Sequence, residues 1–252
     1  MSSVEGKTVY LTGASHGIGR ALALRLAREG TRLALCGRDA ASLGSVEKEA
    51  RASGAAGLYA SSFDLRDERA ILEFYRGARS ALGPPHVLVS NAGYNSRKAG
   101  ICDVATDEFD SLIAVNLRAP FILIREAFKD MKARGEGQVA VVLSTTCRHS
   151  FETMGAYTAA KMGLAGLVDV FRKEARPHNI RVTSIYPGGT DSNFRKNHRP
   201  DYMRPECVAE ALVGALGAPL AKWGAYLAAD LTASTMLTSR AAPVPAMSNA
   251  VP

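Results

Sequence analysis

No apolar run in the 252 residues approaches the roughly 20 needed to cross a bilayer, and a strand pattern begins too close to Met1 for a signal peptide. A membrane or secreted protein is therefore not expected. Four cysteines, Cys36, Cys102, Cys147 and Cys207, form no CxxC pair and no Cys/His ligand spacing. That excludes a disulfide framework and a zinc site; the thiols read as reduced, mostly buried small side chains of a cytoplasmic protein. Aromatic residues make up only 7% and are not interleaved with the basic ones. Lysine plus arginine, 31 against 24 acidic residues, give a net charge of +7 that is spread along the chain rather than gathered in a run. A base-stacking nucleic-acid surface needs aromatic platforms and is not expected. There is no internal repeat. What remains is a chain with 47% hydrophobic residues, long enough to bury a large core without a covalent staple.

Short stretches rich in Val, Leu and Ile alternate with longer amphipathic ones. Strand patterns fall at Thr8–Thr12, 32–36, 58–63, Val87–Ser90, 139–143 and 181–186. Helical periodicity covers 17–30, 39–53 with Asp39 as N-cap, 66–82, 106–134, 153–177 and 205–216. Such alternation is the signature of right-handed βαβ units and a parallel sheet covered on both faces. We expect one doubly wound α/β domain over 1–240 with about seven mostly parallel strands. The last strand has to come from 226–236. The segment 190–216 supplies a basic loop and a helix beside the substrate, and 241–252, with three prolines and no charge, reads as a disordered tail.

Between the first strand and the first helix runs Thr12-Gly13-Ala14-Ser15-His16-Gly17-Ile18-Gly19. Glycines there allow a tight turn, a close approach of backbone to a pyrophosphate, and close packing of the helix, whose free N–H groups and dipole favour phosphate. An ordinary glycine-rich turn is the other reading. The second strand ends in Cys36-Gly37-Arg38. An acidic residue at that end would bond the ribose hydroxyls and repel a 2′-phosphate. Cys36 brings no charge, and Arg38 can grip a phosphate with forked, charge-assisted bonds, which favours NADP(H) over NAD(H). A solvated loop arginine is the alternative.

Tyr157 and Lys161 stand at i and i+4 on one helix face. A phenol with a pKa of about 10 is a poor base near neutrality, and a neighbouring ammonium lowers that value. Alone, such a pair would be an ordinary surface pair. Ser144 changes that reading: it closes the fifth strand, so its hydroxyl lies at the carboxyl edge of the sheet, where parallel sheets bind ligands.

The TGxxxGxG loop, Asn91-Ala92-Gly93 after the fourth strand, Asn116, Ser144, Tyr157 and Lys161, in this order, resemble the short-chain dehydrogenase/reductase family, over nearly the whole chain to about residue 216. The resemblance implies a Rossmann-type oxidoreductase that moves a hydride between NADP(H) and a carbonyl/secondary alcohol pair, reduction of a ketone or aldehyde being the favoured direction. It implies that Ser144 positions the oxygen and Tyr157 carries the proton. Lys161 lowers the phenol's pKa and holds the nicotinamide ribose, and Asn116 supports a proton relay through a helix distortion. A mid-helix asparagine bonded to backbone is the alternative for Asn116. Cofactor contacts are implied for Gly13, Ser15, His16, Gly17, Ile18, Gly19, Gly37, Arg38, Asn91, Ala92, Gly93, Pro187, Gly188 and Thr190, and for Asp64 with Leu65 at the adenine. Asp64 is alternatively a turn-forming aspartate. Ser90 and Ser192 stand where relatives often carry asparagine and threonine.

Arg148 and His149 follow the serine, and Arg195, Lys196 and Arg199 lie in the loop that covers the substrate in relatives. They form either a solvated surface or, for Arg148 and Arg195, a site for an anionic substrate. Relatives also pair as homotetramers or dimers through the helices at 106–134 and 153–177. No metal is expected. The rival readings are a non-catalytic nucleotide-sensing or scaffold protein, which would have lost a catalytic residue, and an NAD-dependent alcohol dehydrogenase. A nucleotide-sugar epimerase or dehydratase is a third, disfavoured by the short stretch after the sixth strand.

Overall fold

The computed structural model describes residues 4–192, 194, 198–217 and 227–231. The expected tail at 241–252 lies outside them, as does Arg195. Seven strands form one parallel sheet in the order β3-β2-β1-β4-β5-β6-β7: β1 Thr8–Thr12, β2 Arg32–Gly37, β3 Gly57–Ser62, β4 Val87–Ser90, β5 Gly137–Val142, β6 Ile180–Pro187 and β7 Leu227–Leu231. The chain winds outward from β1 to β3, then returns to place β4 on the other side of β1. The carboxyl ends of β1 and β4 therefore flank the crevice where doubly wound sheets bind ligands. The last strand, β7, falls inside 226–236 and pairs with β6 from Thr183↔Leu227 to Pro187↔Leu231.

Strand periodicity sorts the side chains onto two faces. Val9 and Leu11 of β1 enter one core with Leu33, Leu35, Val87 and Val89, while Tyr10 enters the other with Ala34, Leu88 and Val139. The first core is covered by α1 (Gly17–Ala27), α2 (Ala40–Ala52) and α7 (Pro205–Gly217). The second is covered by α3 (Glu68–Leu82), α5 (Ala119–Arg134) and α6 (Gly155–Ala175). Both faces being buried, the strands read as continuous apolar runs. Asp39 caps α2 through the N–H groups of Ala41 and Ser42, and Asp67 caps α3 through those of Arg69 and Ala70.

The expected single helix over 106–134 is broken in a way the periodicity hides. It consists of α4 (Thr106–Ile113), a π-helical turn (Ala114–Arg118) and α5. Inside that turn the Asn116 side chain donates to the carbonyl of Leu112 at 3.0 Å. α6 begins at Gly155, after Thr153 takes a left-handed φ of 63°. The thiols are less buried than expected: Cys36 is enclosed, Cys147 and Cys207 are half-buried, and Cys102 is exposed.

At the amino end of the sheet, His86 Nδ1 accepts the N–H of Thr8 at 3.1 Å, so the fold needs a neutral imidazole there. Burial and the guanidinium groups of Arg134 and Arg32 hold this histidine below its usual value. A depressed pKa in the folded state makes stability complete above about 6.5 and lost as pH falls through the folded value. We expect the thermal midpoint to fall more between pH 7 and pH 5 in the wild type than in His86→Gln, which keeps an acceptor without titrating; equal losses would contradict this.

Candidate active site

Two loops meet at the crevice and are laced together. Thr12 Oγ1 accepts the N–H of Asn91 at 3.1 Å and of Ala92 at 3.0 Å. Asn91 Nδ2 returns a bond to the carbonyl of Thr12 at 2.9 Å and a longer one to Gly13. Thr12 was read from the sequence only as the first residue of the TGxxxGxG loop, with no role assigned, because a strand-end threonine does not show what it will bond. Gly13 has a φ of +69°, and a Cβ on it would sit 2.8 Å from Ala92 Cα; one on Gly19 would sit 2.0 Å from the Gly13 carbonyl oxygen. The loop is thus folded tightly on itself and against the β4 end. Gly17, with φ +52°, leaves room for the Ser192 side chain, whose Cβ would lie 2.8 Å from a Cβ there. The segment after β6 therefore folds back over the start of α1. No acidic residue stands in the first turn of α1, so its positive end is uncompensated there.

The outer end of the crevice carries opposed charges. Cys36 is buried, and its thiol is pushed up to about 12, so it stays uncharged. Behind it, a Cβ on Gly37 would collide with Ser15 Oγ at 2.0 Å, and Ser15 donates to the Asp39 carbonyl. Arg38 is exposed just beyond. His16 Nε2 lies 3.8 Å from the Asp39 carboxylate, which is itself held below its ordinary range by the Ser42 hydroxyl. Asp64 forms the turn that was its alternative reading: one oxygen accepts the N–H of Arg66 at 2.9 Å. The other accepts Arg66 Nε at 3.0 Å and Nη2 at 2.7 Å. That pairing lowers the Asp64 pKa. Arg66 is a neighbour the sequence reading missed, since a two-residue ion pair looks like any exposed charge. Ile18 and Leu65 fill the margins of the two cores.

The four catalytic candidates come from three elements. Ser144 lies just past β5 and caps a short 3₁₀ turn, its Oγ accepting the N–H of Thr146 at 3.2 Å, which leaves the hydroxyl hydrogen to donate elsewhere. Tyr157 and Lys161 lie on α6, and both are buried. Lys161 Nζ donates to the Val142 carbonyl at 3.0 Å and lies 6.0 Å from the Tyr157 ring centre. Burial draws its amine down to about 8. Asn116 Oδ1 accepts the N–H of Tyr94, and its Nδ2 donates to the Tyr94 carbonyl at 2.9 Å, so the side chain bonds to backbone, and it does so inside the π-helical turn. Gly93 is where the set converges. A Cβ there would lie 2.8 Å from Asn116 Oδ1 and 3.2 Å from Lys161 Nζ. The glycine makes room for these two side chains.

Past β6, Pro187 ends the strand and Gly188 follows. Thr190 is buried and its hydroxyl donates to the Gly188 carbonyl. Asp191 ties this segment to the chain ahead of α7, accepting the N–H of Arg199 at 2.9 Å. Beside it opens a cavity of about 320 Å³ lined by Thr145, His149, Phe151, Gly188, Gly189, Asp201 and Tyr202. Phe194 sets its ring edge-on to Tyr157, centroids 5.8 Å apart. Arg148 does not line this cavity; its guanidinium stacks over the Tyr186 ring at 4.5 Å. Arg199 is paired with Asp201 and lies over Tyr202.

A family model described as short chain dehydrogenase matches residues 7–203. The chain is 31% identical over 223 residues to the 2-dehydro-3-deoxy-D-gluconate 5-dehydrogenase of Pseudoalteromonas atlantica, covering 88% of this chain and 85% of that one. It is 30% identical over 231 residues to the glycine betaine reductase of Emericella nidulans, of which it spans only 18%. Among solved structures, a metagenomic short-chain oxidoreductase in complex with NADP superposes with a TM-score of 0.80 at 31% identity, covering 91% of this chain and 98% of the other. With the phosphate-loop glycines and the Asn116, Ser144, Tyr157 and Lys161 set in place, the chain belongs to the short-chain dehydrogenase family and is an oxidoreductase acting on CH–OH groups.

Proposed function

We propose that this enzyme is an NADP(H)-dependent ketone or aldehyde reductase. The observation that carries the reading is the meeting of Asn116 Oδ1 and Lys161 Nζ at Gly93, with Tyr157 one turn away on α6. The residues present fit the cofactor. The uncompensated N-terminus of α1, with Gly13, Gly17 and Gly19, suits the pyrophosphate, and Ser15, Gly37 and Ile18 shape the same turn. Arg38 and His16 stand where a 2′-phosphate is expected, and the uncharged Cys36 does not repel it. Asp64 with Leu65 would hold the adenine end, Asn91, Ala92 and Gly93 the ribose, and Pro187, Gly188 and Thr190 the nicotinamide. When bound, the reduced nicotinamide supplies the hydride to the carbonyl carbon.

This chain's own residues do the rest. Ser144 donates its hydroxyl hydrogen to the substrate oxygen and fixes the carbonyl's orientation. Tyr157 gives the phenolic proton to that oxygen, completing the alcohol. The buried ammonium of Lys161 stabilises the phenolate left behind, and the proton is restored along Lys161 and Asn116 from solvent. Polarisation of the carbonyl by two hydroxyls needs no metal, and no group of three or more potential ligands occurs among the described residues. Free thiols suit a reducing cytoplasm. Phe121 on α5 and Met162 and Val170 on α6 expose apolar surface, which supports a homo-oligomer, a tetramer or dimer, paired through these helices.

NADPH oxidation in the presence of a panel of ketones and aldehydes tests the reading. Tyr157→Phe is expected to lower kcat by about 100-fold or more; equal rates would exclude the mechanism, and no turnover in a protein that binds NADPH would favour a scaffold. Arg38→Ala is expected to raise KM for NADPH by about 10- to 100-fold, the worth of one or two charge-assisted bonds, while leaving NADH unchanged. A wild type that prefers NADH would overturn the cofactor assignment. Lys161→Met is expected to abolish activity yet raise the unfolding midpoint at pH 7. An amine whose folded pKa is about 8 costs stability while charged, and that gain should fade as pH rises from about 8 towards 10.5. Phe121→Asp with Val170→Asp should reduce the mass seen by light scattering to that of one 26.7 kDa chain.

A further inference from the structure

The cavity lined by Thr145, the residue after Ser144, has walls of a definite kind. Phe151 is half exposed at its mouth. Tyr202, also in the lining, is held in place: a Cβ on Gly189 would lie 2.6 Å from its ring, and the Arg199 guanidinium sits 4.3 Å above the ring centre. A fixed aromatic wall loses little freedom when a flat ligand packs on it. At about 320 Å³, the space lies at the small end of ligand pockets, enough for one ring and a short chain.

Its charge is balanced rather than basic. Arg199 spends Nε at 2.9 Å and Nη2 at 2.7 Å on the two oxygens of Asp201, so that pair cancels. Asp201 lines the cavity with its charge offset by Arg199, so the pair offers an anion no net attraction. Arg148 is stacked on Tyr186 outside the lining. Among the described residues that line the cavity, His149 is the one whose side chain can carry a positive charge.

We propose that the carbonyl substrate carries a flat, uncharged aromatic group, held between Phe151 and Tyr202, in place of an anionic group bound by Arg148. The proposal rests on the reductase reading of the Ser144 and Tyr157 site, and binding is measured apart from turnover so that the two can fail separately. Acetophenone and 4-acetylbenzoate share a carbonyl and a ring and differ by a carboxylate. With NADPH, acetophenone should show a kcat/KM at least about tenfold higher, and Phe151→Ala and Tyr202→Ala should each raise its KM about tenfold while leaving 2-butanone within about twofold. Arg148→Ala should change neither aromatic ketone. Calorimetric titration of both ketones into the NADP⁺ complex should show the same preference. Acetophenone binding without any reduction would uphold the pocket and overturn the reductase reading. Preference for 4-acetylbenzoate lost in Arg148→Ala, equal affinity for the two ketones, or no binding of either would overturn the proposal.

Discussion

The candidate active site is arranged around the buried cation of Lys161. Lys161 has almost no contact with solvent, and one hydrogen bond to the Val142 carbonyl replaces the water it has lost. An ammonium in that setting costs stability, which is why its amine is drawn down to about 8. The surrounding parts make sense as what tolerates it. Gly93 leaves out a side chain so that Nζ can approach, Asn116 brings its carbonyl oxygen to the same place, and the π-helical turn holds Asn116 there. The reward is electrostatic: a poorly hydrated positive charge acts on the Tyr157 phenol far more strongly than one in water.

The crevice is built by lacing rather than by any single loop. Thr12 and Asn91 exchange bonds between the β1 and β4 ends, and the segment after β6 is pinned through Asp191 and packs its Ser192 against Gly17. Each loop alone would be free to move. Their mutual bonds, on strands whose register is fixed by two buried faces, place the glycine loop and the catalytic helix on the same edge of the sheet.

Much of the fold was legible in the sequence because strand and helix leave different periods. β1 and β4 stand as expected and the other elements shift at their ends by a few residues, where a glycine or a left-handed residue such as Thr153 sets the limit. Tyr157 and Lys161 were legible as a pair, being one turn apart on one helix. Only the family resemblance implied a distortion at Asn116; in the apolar periodicity the π turn was not legible, because an insertion of a single bonding step leaves that periodicity almost untouched. Nor were the partners of the arginines. Arg66 on Asp64, Arg148 on Tyr186 and Arg199 on Asp201 are exposed charges until the chain is folded.

The amino-acid sequence by itself determined the order of the elements, the glycine loop, and the residue types available for proton transfer, since all of these are written in spacings of one to five residues. Only the tertiary structure decided that Asn116 and Lys161 both approach Gly93, and that Phe151 and Tyr202 come to line the same cavity. Those contacts join residues tens of positions apart. Their energies depend on burial and on what each charge faces, and neither exists until the sheet has been assembled.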